Sequence, residues 1–211
     1  MLRAGWRTRL RAKGRPANAV RIVLQYAQMR AFSAFYGAWL RFLGVRIDGR
    51  VHFVGPIRVL GDPRRITIGA GAWLHRGVTL WTHDYGPGHG RISIGQRVTL
   101  LTNVQINSYA SITIGDDAAF GDGCYVQDND HGTEPGTPVM QQAQICEPIT
   151  IGADVWFGAR CIVLKGVQVG DGTVVGAGSV VVKSLPAGVV AVGSPARAVK
   201  RRGGGALEIA A

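Results

Sequence analysis

The chain has 211 residues, enough for one large domain, and a formal net charge of +11. That charge invites a nucleic-acid partner, but residues 1–50 hold eleven Lys/Arg against Asp48 alone, so nearly all of it sits in one arm. Charge confined to an arm serves attachment, which argues against nucleic acid, and three cysteines without pairing or metal-ligand spacing argue against a disulfide framework or metal cluster and suit a reduced, cytoplasmic setting.

The first sixteen residues, MLRAGWRTRLRAKGRP, read as a flexible basic segment. From Ala17 to Val45 apolar residues recur at three- and four-residue steps: Ile22, Tyr26, Met29, Phe32, Tyr36, Trp39, Leu40 and Leu43. This predicts an N-terminal amphipathic helix. Arg21, Arg30 and Arg41 interrupt it, so no run of about twenty uncharged apolar residues is available to span a bilayer. It is also too long for a signal peptide and lacks a small-residue cleavage site. Two roles suit such a helix. It caps the following domain or makes an oligomer contact, or its basic, aromatic-rich surface lies on anionic lipid as a peripheral membrane contact through residues 1–45. Both can hold.

From His52 a second kind of pattern begins. Val54, Ile57 and Val59 suggest a first, imperfect coil, and Asp62-Pro63 a turn. Ile68, Leu74 and Leu80 form a clear set of three, then Ile94, Leu100 and Ile106, then Ile114, Phe120 and Val126. In the stretch 149–183 the pattern is strict: Ile151, Phe157, Val163, Val169, Val175 and Val181 stand six apart. Gly152, Gly158, Gly170 and Gly176 follow four of them, and Val155, Cys161, Val167, Thr173, Ser179 and Leu185 stand four after each aliphatic. Neither strand nor helix has a period of six. One buried aliphatic per short repeat cannot make a core alone, so the units must stack as a solenoid. Three units make a coil of 18 residues, with the glycine expected to permit the bend at each corner. Departures from 18 locate insertions at 81–91 and, longer, at 127–148. The implied division is a basic arm and helix (1–50), a solenoid (51–190) and a terminal loop with a basic tail (191–211).

This pattern closely resembles the hexapeptide-repeat acyltransferases, in their sugar O-acetyltransferase branch. The resemblance implies an all-β, left-handed parallel β-helix that works as a homotrimer on acetyl-CoA and needs no metal. The run Gln127-Asp128-Asn129-Asp130-His131-Gly132 opens the long loop where family members place a catalytic histidine. By that resemblance His131 is the general base. The chemistry agrees: imidazole takes the proton of an acceptor hydroxyl during attack on a thioester and returns it to the thiolate. Asp130 and Glu134 are candidates to fix its tautomer, as is a backbone carbonyl. Asn103 matches an asparagine that contacts the acceptor sugar in this branch, or else simply turns a corner; Asn107 is a weaker version of the same idea. Trp81, His83 and their neighbours in the shorter loop suit a sugar, or equally a solvated turn.

On the donor side, PAGVVAVGSPARAVKRR resembles the family's terminal loop, with Ser194 in place of the commoner asparagine. The resemblance puts coenzyme A in a groove between subunits. Ala159 and Ala177 then give backbone contacts, Lys183, Arg197 and Lys200 hold phosphates, and Trp156 flanks the adenine or packs a coil edge. Cys124 and Cys161 are expected in the core. The implied reaction is acetyl transfer to a sugar hydroxyl in polysaccharide or lipid-linked oligosaccharide synthesis. The alternatives are an N-acyltransferase on an amino sugar nucleotide, a serine acetyltransferase, or a non-catalytic β-helix scaffold. A zinc carbonic anhydrase is disfavoured, since His52, His75, His83, His89 and His131 lack the ligand spacing.

Overall fold

The computed structural model describes residues 16–84 and 89–204, with side chains from residue 21 onward. The basic arm before Pro16, residues 85–88 of the shorter loop and residues 205–211 lie outside the described residues. Among the described residues one α-helix, α1 (Pro16–Phe42), leads into a stack of parallel coils. Each coil contributes a strand to each of three faces in turn, and every strand pairs with the equivalent strand of the next coil. The first face begins with Arg46–Ile47, the second with His52–Phe53, the third with Arg58–Gly61.

The six-residue repeat appears directly as register. Ile47, Ile68, Ile94, Ile114, Ile151 and Val169 pair in succession up the first face. Phe53, Leu74, Leu100, Phe120, Phe157, Val175 and Ala191 do so up the second, and Val59, Leu80, Ile106, Val126, Val163 and Val181 up the third. Most of these side chains are fully buried in one continuous core, where each contributes about 1.5–3 kcal/mol. Phe120 and Phe157 stack at 4.8 Å within it. Cys124 and Cys161 lie in the core as expected, their thiols directed to the carbonyls of Gly158 and Gly176.

Two expectations change. The first coil is regular and starts earlier, with Ile47, Phe53 and Val59 six apart; Val54 points outward and is 42% exposed. The repeat glycines, moreover, do not turn the corner. The left-handed residues stand two positions later, at Asp154, Arg160, Gly172 and Gly178. Gly158 is required by close approach instead, since a Cβ there would sit 2.5 Å from the Ala177 nitrogen of the next coil.

The C-terminal half of α1 caps the open end. Ser33 Oγ donates to the Phe53 carbonyl (3.2 Å) and accepts from the Phe53 N–H (2.9 Å). Tyr36 does the same for Ile57, and Arg41 donates to the Ile47 and Gly49 carbonyls. The exposed edge of the first coil is thereby satisfied by side chains. At the other end, Val189–Gly193 folds back antiparallel on Ala196–Arg201, so the expected terminal loop is a tight hairpin over the second face.

Candidate active site

The long insertion is itself a hairpin. Asn129–His131 pairs antiparallel with Gln144–Cys146, with His131 opposite Gln144. Its foot is held by Asp128, which is fully buried and accepts from Ser108 Oγ (2.9 Å), Tyr109 N (2.6 Å) and Ala110 N (3.0 Å). Burial raises the Asp128 pKa, while those three donors oppose the shift. Glu147, just past the returning strand, meets Lys165 at 2.7 Å. Near the tip, the Gln142 amide accepts from Glu134 N and donates to the Glu134 and Thr137 carbonyls.

Side chains alternate along a strand, so Asn129 and His131 share one side and Asp130, which is exposed, takes the other. Asn129 Nδ2 donates to Gln144 Oε1 (3.2 Å), and Gln127 Nε2 donates to the Asn129 carbonyl (3.1 Å). Gln127 in turn accepts from the Tyr125 hydroxyl, which accepts from Asn107 Nδ2 (2.9 Å). Among the described residues three buried side-chain polar atoms have no partner: Asn107 Oδ1, Asn129 Oδ1 and His131 Nδ1. The two asparagines belong to this one network, and His131 stands two residues beyond Asn129 on the same side of the strand. Buried unpaired groups are rare and costly. Unpaired groups of this kind mark hydrogen-bonding capacity that the described residues leave unused.

Below the hairpin an aromatic column climbs the same corner. His83 is sandwiched between Trp81 (4.0 Å) and Tyr109 (3.8 Å). Burial holds the His83 imidazole below its ordinary value, with Asp84 opposing. Burial also pushes the Tyr109 hydroxyl up, against a hydrogen bond with Gln144.

Comparison with known proteins gives this site a context. Residues 148–183 match the model of the hexapeptide repeat of succinyl-transferase. A Mycobacterium tuberculosis protein named a probable acetyltransferase is 34% identical over 157 residues, 73% of this chain and 51% of that protein. The galactoside O-acetyltransferase of Escherichia coli is 33% identical over 139 residues, 64% of this chain and 63% of the enzyme. Along these stretches the chain is similar to hexapeptide-repeat acyltransferases. It spans between about half and two thirds of the length of these curated relatives. Two solved structures share the fold, each at 22% identity. One is an N-acyltransferase from Bacillus cereus in complex with dTDP and 3-hydroxybutyryl-CoA (TM-score 0.67, 79% of this chain and 88% of that one). The other is a Vibrio cholerae hexapeptide-repeat acetyltransferase complexed with acetyl-CoA (TM-score 0.57, 90% and 91%).

Within this hexapeptide-repeat chain the expected site residues fall into two groups. Ala159 and Ala177 occupy one corner in successive coils, between the second and third faces. Trp156 (55% exposed), Val174, Val190 and Lys200 form a single outward row beside them. Arg197 lies opposite Val192, which abuts Gly176. These five expected donor residues therefore share one edge. Lys183 does not: it follows Val180–Val181 at the far end of the third face, on the corner column from which the His131 hairpin departs.

On the acceptor side the structure separates the candidates. His131 Nδ1 has no partner among the described residues, Asp130 lies on the other side of the strand, and the Glu134 backbone bonds Gln142. Asn103 turns a corner with φ 60°, its N–H bonded to the Arg76 carbonyl, with the strand Gln105–Ser108 between it and the hairpin. Asn107, buried on the third face beside Trp81 and Gln127, is the asparagine near the cluster. Asp128, Asn129, Tyr109 and Gln144 carry no repeat signal and were not legible as a set; only the polar run 127–132 hinted at two of them.

Proposed function

We propose that the chain transfers an acetyl group from acetyl-CoA to a saccharide hydroxyl, with His131 as general base. The observation that carries this reading is the cluster of unpaired buried atoms ending at the His131 imidazole. A structural histidine is normally spent on its surroundings; here a hairpin pinned at foot and tip holds a ring nitrogen that nothing uses. Two amide oxygens and an imidazole nitrogen offer hydrogen-bond acceptors, which suits an acceptor molecule rich in hydroxyl donors.

Bound acetyl-CoA supplies an activated carbonyl. The imidazole removes the acceptor proton as the hydroxyl oxygen bonds to that carbonyl carbon; the C–S bond then breaks, and the imidazolium returns the proton to the thiolate. The exposed alanines 159 and 177 place corner backbone where the pantetheine would lie, and Arg197 and Lys200 provide cations for phosphate. That edge and the His131 hairpin stand at opposite ends of the third face, about 15–20 Å apart. We read this separation as a site completed by a second subunit, which favours a homotrimer. The left-handed sense of the coil rests on the resemblance to the family and its solved members. The galactoside-modifying relative favours a saccharide acceptor in polysaccharide or oligosaccharide synthesis. An amino sugar nucleotide is the second reading, since the Bacillus cereus neighbour is an N-acyltransferase bound to dTDP.

The test is thiol release from acetyl-CoA across a panel of saccharides, amino sugar nucleotides and serine, for wild type and His131→Ala. Saccharide-dependent release that falls about a thousandfold in the variant is expected. Release with amine acceptors only would select the second reading. Undiminished release in His131→Ala would end the general-base role, and no binding of CoA would leave a scaffold.

A further inference from the structure

The helix α1 is longer than its cap. Ser33 is the first side chain in it that packs against the coil as a buried residue; Met29 is partly covered and residues 21–28 are exposed. Ile22, Val23, Leu24 and Tyr26 face solvent in this overhang. Along the docked half, the face turned away from the coil is apolar as well. Phe35 is 75% exposed, Phe42 81% and Trp39 48%. At 100° per residue Leu24, Phe35 and Phe42 project within about 20° of one another, with Ala27, Ala31 and Ala38 beside them. Among the described residues nothing covers this stripe, and a helix overhang without packing is marginal in water.

The flank of the stripe is cationic. Arg30 and Arg41 extend from the helix toward Arg50 and His52 of the first coil, and together with Gly49 and Phe53 they line a cavity of about 150 Å³. Burial, Arg50 and Arg30 all lower the His52 pKa, as a concentrated positive field requires. Asp48, the one acid of residues 1–50, is already paired with Arg46 at 3.5 Å. The sequence ahead of the helix adds Arg3, Arg7, Arg9, Arg11, Lys13 and Arg15 with no acid. A second copy of the same face would bring like charge against like charge. A bilayer surface with anionic headgroups matches both parts: acyl chains for the stripe and phosphates for the arginines.

We propose that α1 is an in-plane anchor to anionic lipid, its Leu24, Phe35, Trp39 and Phe42 inserted below the headgroups and a lipid phosphate held at Arg30, Arg41 and Arg50. This inference stands independently of the transfer reading. It would bring the His131 hairpin to acceptors displayed at a membrane surface.

The experiment is sedimentation of the full chain with vesicles of phosphatidylcholine alone, or with about a third phosphatidylglycerol. Wild type, a Phe35→Ser/Phe42→Ser variant and an Arg30→Gln/Arg50→Gln variant are compared, with mass in solution measured by light scattering. Wild type is expected to bind the anionic vesicles. Each double variant should lose at least about tenfold in partitioning, with unchanged mass and unchanged circular dichroism. Raising salt should weaken wild type and leave the arginine variant less affected. Equal binding to both vesicle types, equal partitioning of the phenylalanine variant, or a change of oligomer mass in that variant would each overturn the proposal. The last outcome would make the stripe a subunit contact.

Discussion

At the scale of single residues, two glycines that look alike in the sequence do different work. A methyl at Gly158 would press on the backbone nitrogen of Ala177 at 2.5 Å, where no side chain can yield. Gly178 has nothing within 4 Å but holds φ +72°. Gly158→Ala should therefore cost about 3 kcal/mol or more and Gly178→Ala about 1 kcal/mol, read from denaturant midpoints. Equal costs would show that φ alone governs the repeat. The histidines give a second residue-scale prediction. Burial lowers the pKa of His52, His75 and His83 below 6.5, so the fold favours their neutral forms. Their contribution is whole above that value and is lost as pH falls below it. Stability should drop between pH 6.5 and 5, and His83→Gln should make the drop shallower. An unchanged profile would mean His83 titrates freely despite its stack.

At the scale of elements, the hairpin 129–146 is the least predictable part and the one that holds His131. Its insertion was legible as a surplus over 18 residues, because the repeat breaks there. Its pairing was not, since Gln144, Ile145 and Cys146 follow no period and Asp128 is identified only by the three donors that surround it. Gln142→Ala should release the tip while leaving the coils intact. Limited proteolysis is then expected to cut within 133–141 several-fold faster, with the melting temperature almost unmoved and kcat reduced. Lys165→Met removes an exposed ion pair and should cost less than about 1 kcal/mol. If that substitution frees the hairpin as far as Gln142→Ala does, the foot rather than the tip controls it.

At the scale of the whole molecule, the proposed donor edge and the proposed base, His131, stand at opposite ends of one face. Mixed trimers test this separation. His131→Ala and Ala177→Glu are each expected to be inactive, yet co-refolded mixtures should regain roughly a quarter of wild-type activity, because a quarter of the interfaces carry both intact halves. No recovery would place the whole site within one chain.

The sequence by itself determined the coil: inward aliphatics every six residues leave no other way to bury the chain, so the register, the core and the insertion points follow from spacing. It also placed His131 where the coil is interrupted. Only the tertiary structure decided what surrounds that histidine. Asn107 replaced Asn103 near the cluster, Asp130 turned away, and Trp81, His83 and Tyr109 came together from two coils. The reason is physical. A repeat specifies which residues point inward, whereas a site on the outside of a solenoid is assembled from residues a full coil apart, whose meeting depends on stacking and on loops that obey no period.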